Sequence, residues 1–214
     1  MKYTKQIGSL FLVTMLLSIV GNLTISGLIA GEDFLPQINE QPYKYSLAAV
    51  ALLLNSLGVL GIGLFTYAVL KDLNMIVARA YLLTRIFEGV ILAVGIIFLV
   101  SLVFIADKNA ADTSTSSVNY YLMAKYAIRF NWYSYNVAMA TLGLGSIPFC
   151  LLLLRFKLIP KFLSGLGLLG YAVLAVSSLA GLIGIDLGLS VTIPVFFFEV
   201  FLGLWLVIKG IKTT

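Results

Sequence analysis

The chain has 214 residues, of which 61% are hydrophobic and 11% charged, with a formal net charge of +5. A soluble domain carries about 25% charged residues, so a chain of mean hydropathy +1.06 cannot cover its own surface in water. There is no histidine, which removes bis-His haem, His-ligated zinc and any Ser-His-Asp or Cys-His catalysis.

Six long apolar runs cover residues 7–29, 46–70, 81–105, 132–154, 162–185 and 190–208. Roughly 20 apolar residues span a bilayer as a helix, and continuous runs rather than short alternating ones point away from a barrel. The expectation is an all-α polytopic membrane bundle, a single domain over 1–214 with six transmembrane helices. The first run follows Lys2 and Lys5. Its apolar core exceeds the roughly 7–15 residues of a signal h-region and no A-x-A site follows, so it is expected to remain as a span.

Two connecting segments on one side have some size, 30–45 and 106–131. The second begins with the polar run DKNAADTSTSS and continues as VNYYLMAKYAIRFNWYSYN. Its Tyr120, Tyr121, Tyr126, Trp132, Tyr133 and Tyr135 are expected to form an aromatic belt on an interfacial helix or helix extension, with Lys125 and Arg129 reaching headgroups. A specific binding surface is the alternative. In the fourth run Pro148 is expected to bend the helix, as Pro194 is in the sixth. The lone cysteine, Cys150, has no disulfide partner and reads as a packing residue. GLGLLG at 165–170 matches the dinucleotide fingerprint only as letters, because it lies inside a span rather than between a strand and a helix. Ser177 and Gly181 have the small-xxx-small spacing that lets helices approach.

The basic residues set an orientation. With the N-terminus inside, Lys2, Lys5, Lys71, Arg79, Arg155, Lys157, Lys161, Lys209 and Lys212 are cytoplasmic, against Lys44, Lys108, Lys125 and Arg129 outside. This positive-inside bias is strongest in the short RFKLIPK loop and predicts both termini in the cytoplasm. Glu32, Asp33, Glu40, Asp107, Asp112 and Asp186 all fall outside. The net positive charge is thus a topology signal and an attraction to anionic lipid. No contiguous basic domain suggests nucleic acid.

Charges inside spans need partners, because each costs about 2.5–3.5 kcal/mol at the bilayer centre on insertion scales. The third run contains RIFEGVIL, in which Arg85 and Glu88 project from one helix face with Tyr81 and Leu92. At 1.5 Å per residue, Glu88 lies about 10 Å into the membrane from one edge, and Glu199 and Asn55 each about 14 Å from the other. All three approach the midplane of a core about 30 Å thick. The expectation is a buried polar cluster of Arg85, Glu88, Glu199 and Asn55. Gly203, four residues after Glu199, leaves room there for another helix. One arginine cannot neutralise two carboxylates, which favours a proton on one of them. The alternative is that the cluster only fixes which helices pair. Asn22 and Asn136 fall nearer the outer interface. No cofactor or metal site is expected.

The runs NVAMATLGLGSIPFCLLLLRFKLIPKFLSGLGLLGYAVL and IPVFFFEVFLGLWLVIKGI, with LLNSLGVLGIGLFTYAVLK and YLLTRIFEGVIL before them, closely resemble the bacterial membrane family catalogued as domain of unknown function 4386 (DUF4386). The likeness covers nearly the whole chain. It implies a multi-pass protein of the bacterial cytoplasmic membrane and no established activity; its charged positions here are Arg85, Glu88 and Glu199. A three-plus-three repeat would suggest transport, but the FEG at 87–89 and FEV at 198–200 align differently from GIGLFTYAVLK and GLGSIPFCLLLLR. Three readings follow. The favoured one is a non-enzymatic membrane protein that binds a lipid or small amphiphile within the bundle, with the bilayer as its partner. The second is a small proton-coupled carrier using Glu88 or Glu199. The third is an intramembrane enzyme acting on lipid, which would have to work with glutamates and tyrosines alone.

Overall fold

A computed structural model describes residues 3–112 and 119–211. Lys2, Lys212 and positions 113–118 of the polar loop lie outside the described residues. The chain forms α1 (Thr4–Leu28), α2 (Phe34–Glu40), α3 (Pro42–Leu70), α4 (Met75–Ala111), α5 (Tyr120–Arg155), α6 (Lys161–Leu182) and α7 (Ile193–Ile208), with a 3-10 turn Leu189–Thr192 leading into α7. There is no strand among the described residues. All but α2 belong to segments long and apolar enough to cross a membrane, the last counted from Ser190.

The helix starts follow from local chemistry. Asn74 and Asn119 precede α4 and α5, and their side-chain oxygens accept from the backbone N–H of Val77 at 3.1 Å and Leu122 at 2.8 Å, satisfying donors that the first turn leaves open. Pro42 opens α3. Pro194 lies in the first turn of α7 rather than mid-helix. Its missing N–H would have had no intrahelical partner there, so the bend expected at this proline has no cause. Pro148 does lie inside α5. Gly210, at φ +70, turns the chain out of α7, and its N–H bonds the Trp205 carbonyl at 3.1 Å.

The long helices form a closed ring in chain order. α1 packs on α3, α3 on α4, α4 on α5, α5 on α6 and α6 on α7, and α7 closes back on α1. Both ends of the described chain therefore lie at one end of the ring, called here the terminal end. Glycines allow the backbones to touch. A Cβ on Gly8 would sit 2.6 Å from the Gly203 carbonyl of α7, and one on Gly143 would sit 2.7 Å from the Tyr171 carbonyl of α6. In GLGLLG, Gly167 lies under the Phe198 ring and Gly170 against the Val195 backbone. That segment is a helix-packing surface.

Three features differ from the apolar pattern. α4 has 37 residues and α5 has 36, about 55 Å each, so the pair continues beyond a core about 30 Å thick. The aromatic segment is the start of α5, a helix extension. Arg129 folds over its own helix, with its guanidinium carbon 4.7 Å from the Trp132 ring centre and 5.3 Å from that of Tyr133. The loop after α1 forms α2, which buries Phe34, Leu35 and Ile38 with Tyr45, Leu102 and Ala124 at the far end. Finally, α6 stops at Leu182, and the return segment 183–188 is exposed throughout.

Candidate functional site

Midway along the ring, the side chain of Arg85 extends from α4 toward α6 and α7. Its Nε donates to the Tyr81 hydroxyl at 2.8 Å. Nη1 donates to Glu88 at 3.0 Å to Oε2 and 3.4 Å to Oε1. Nη2 donates to the Tyr171 hydroxyl of α6 and to Glu199 Oε1 of α7, both at 3.2 Å. The Tyr171 hydroxyl in turn donates to the same Glu199 oxygen at 2.8 Å. A planar guanidinium carries five donors in a fixed fork, and here the fork joins three helices.

The surroundings are apolar and tight. The guanidinium carbon lies 5.2 Å from the ring centres of both Phe11 and Tyr81. Phe149 stacks on Tyr81 at 4.2 Å, and Phe198 meets Tyr171 edge-on at 5.5 Å. Gly63 of α3 lies against the Arg85 Cβ, and Gly89 against the Ser56 carbonyl, so α3 presses closely on the charged turn of α4. Arg85 and Glu88 are buried, whereas the Glu199 side chain keeps 20% of its surface exposed. Glu199 Oε2 accepts no hydrogen bond from the described residues. With one guanidinium and two carboxylates, the ionised cluster carries a formal charge of −1.

Arg85, Glu88 and Glu199 thus meet, with the arginine between the two carboxylates. Asn55 lies apart. It is half-buried and no hydrogen bond joins it to the three. It shares a helix face with Val59, Ile62 and Thr66, and since Gly89 abuts Ser56, Asn55 sits about 3 Å beyond Glu88 toward the far end. Asn136 is buried against Gly181, with its amide donating to the Trp132 carbonyl at 2.9 Å, and exposed Asn22 donates to the Ser18 carbonyl at 2.9 Å.

Tyr171 was not among the residues the sequence singled out, and Tyr81 was noted only as sharing the Arg85 face. A signal existed for both. Tyr81 precedes Arg85 by one helical turn, and Tyr171 ends the LIPKFLSGLGLLGY run inside a span. A phenol hydroxyl in such a place needs a partner. Chemically, the assembly offers a rigid cationic fork already committed to protein groups and one carboxylate oxygen free to accept from something else.

No curated protein and no solved structure matches the chain. The family model described as domain of unknown function (DUF4386) matches residues 6–210, and by that match over nearly its whole length the chain, with its six candidate membrane spans, belongs to this family.

Proposed function

We propose that the protein resides in the bacterial cytoplasmic membrane with its terminal end in the cytoplasm, and binds a lipid or small amphiphile at the Arg85, Glu88 and Glu199 cluster. The observation that carries this reading is the contrast between the carboxylates. Glu88 is buried and bonded by Arg85 through both oxygens, while Glu199 keeps one oxygen free and part of its surface open. A cluster serving only to pair helices would gain from sealing both, since an incompletely partnered buried charge is expensive. Asn55, a little farther out on α3, belongs to the same ligand-facing surface. A proton-coupled carrier using Glu88 or Glu199 would also need a path through the terminal half of the ring, which Ile62, Leu70, Phe149, Leu153, Leu202 and Leu206 fill.

The test is mass spectrometry of molecules that remain with the gently extracted protein, comparing wild type with Glu199→Gln and Glu88→Gln at matched thermal stability. A defined molecule held by wild type and lost from a stable variant is the expected result. If nothing specific is retained and both variants assemble poorly, the cluster is a helix-pairing device and the binding reading fails.

A further inference from the structure

α6 and α7 touch at one level and part at another. Gly170 meets the Val195 backbone and Gly167 lies under the Phe198 ring, so there the two helices are in contact. Toward the terminal end a groove of about 340 Å³ opens between them. Phe162 and Leu163 form its α6 wall, and Phe201, Leu204, Trp205 and Ile208 its α7 wall. Of these, Phe162, Phe201, Leu204 and Ile208 are exposed, which places the groove on the outer face of the ring, apart from the Arg85 cluster. From Lys209 at its mouth back to Phe201 is about 12 Å of helix. Both walls belong to segments apolar enough to cross a membrane. In a bilayer this face meets hydrocarbon whatever lipid is present, and what distinguishes it is its mouth.

The mouth is basic. Lys209 lines it, with its Nζ 4.9 Å from the Trp205 ring centre. Pro160 lines it from the other side, and Lys161 follows as the first residue of α6. No side chain caps α6, so its first N–H groups, at Lys161, Phe162 and Leu163, have no intrahelical acceptor at the positive end of the helix dipole. The connection from α5 adds Arg155 and Lys157, both exposed. None of these four cations forms an ion pair among the described residues. The one carboxylate side chain at this end of the described chain is Asp72, in the α3–α4 connection across the ring. The positive charge at the groove is thus unanswered by the described residues.

We propose that this groove holds one glycerophospholipid with an anionic head, its phosphate at Lys161, Lys209 and the open first turn of α6 and one acyl chain between α6 and α7. The occupant follows from the walls and the mouth together. The apolar walls take a hydrocarbon chain, which any lipid supplies. The mouth presents ammonium groups and backbone donors, which favour phosphate oxygens and disfavour the extra cation of a zwitterionic head. A second copy of this chain seated on the same face would bring its own unpaired cations to the contact, and like charges would meet. The site is separate from the Arg85 cluster and does not depend on the reading given for it.

The experiment is native mass spectrometry of the purified protein in a non-ionic detergent, titrated with dioleoyl phosphatidylglycerol, with dioleoyl phosphatidylcholine, or with glycerol phosphate as the head alone. Wild type is expected to hold one phosphatidylglycerol at least about tenfold more tightly than phosphatidylcholine, and no specific glycerol phosphate. Lys161→Gln and Lys209→Gln, both at exposed positions, should each weaken phosphatidylglycerol about fivefold and leave phosphatidylcholine unchanged. Leu204→Trp, which fills the groove and keeps every charge, should weaken both lipids. Lys71→Gln, at the same end on the opposite side of the ring, should change neither. Equal affinity for the two lipids, a loss in Lys71→Gln as large as in the groove variants, or a head alone bound as tightly as the lipid overturns the inference. Phosphatidylglycerol retained by both groove lysine variants but lost from Glu199→Gln would place the lipid at the cluster and overturn it as well.

Discussion

Arg85→Lys separates the charge of Arg85 from its shape. Arginine presents three nitrogens to four side chains: Tyr81 behind it, Glu88 ahead on the same helix, and Tyr171 and Glu199 across the ring. A lysine ammonium is a single nitrogen on a flexible stem and can stay beside Glu88 or reach across, but not both. The positive charge remains and the link from α4 to α6 and α7 is lost. At about 1.5–3 kcal/mol per hydrogen bond to a charged group, two lost bonds give about 3–6 kcal/mol. Interhelical bonds measured within a bilayer average nearer about 0.6 kcal/mol, which sets a floor of about 1.2. The expected loss is about 2–4 kcal/mol between these bounds. Arg85→Met should cost more, about 3–5 kcal/mol, because two carboxylates then lose their counter-charge. Reversible unfolding in mixed micelles of non-ionic detergent and dodecyl sulfate, followed by the fluorescence of Trp132 and Trp205, measures both. A lysine variant within about 0.5 kcal/mol of wild type, below even that floor, would refute the claim that the fork geometry ties the helices together.

Gly170→Val should lower the midpoint of thermal unfolding by an overpacking cost of about 1–3 kcal/mol, because even a Cβ there would sit 2.8 Å from the Val195 backbone, whereas Gly165→Val, with nothing within 4 Å of the added atom, should leave packing undisturbed; equal losses would show that the α6–α7 contact is not set by Gly170. For orientation, single cysteines replacing Asp186 or Lys71 in a Cys150→Ala background should differ toward a membrane-impermeant maleimide applied to intact cells. The Asp186 position is expected to label directly and the Lys71 position only after permeabilisation, and the reverse pattern would invert the topology argued from the basic residues.

The long elements were legible because a bilayer demands a repetitive signal. Twenty apolar residues in a row admit one backbone solution, and all six such runs are helices. The three ionisable cluster residues were legible for the complementary reason, since a charge in such a run must find a partner. What escaped was governed by amphipathic or merely polar sequence. α2 is a seven-residue helix whose existence depends on burying Phe34, Leu35 and Ile38 against distant helices. The extension of α4 past Ile105 is read from composition as loop, because water-exposed helix and loop look alike by polarity, whereas the aromatic start of α5 is the helix extension its sequence suggests. Asn55 fell short of the cluster because α3 meets the charged turn of α4 through Gly63 and Ser56, and depth along a helix does not say which of its residues make the contact. Tyr171 was hidden by being only mildly polar, although its hydroxyl connects two of the charged groups.

The order of the ring bears on how such a chain can be built. Every helix contact except the last is with a neighbour already made, so the bundle can grow in the direction of synthesis, and α7 closes it against α1. Until then the cluster is incomplete, yet α4 does not wait in the membrane as a bare cation. Arg85 and Glu88 lie three residues apart on one helix and bond each other at 3.0 Å, so α4 carries its own counter-ion and can leave the insertion machinery as a nearly neutral segment. Glu199 comes in on the final helix, which is otherwise uncharged from Ile193 to Ile208, and finds a guanidinium edge already oriented toward it. Exchanging Glu88 and Glu199 in the order of synthesis would leave the finished site much the same on paper, but it would strand an unpaired arginine in lipid for the time needed to make three more helices.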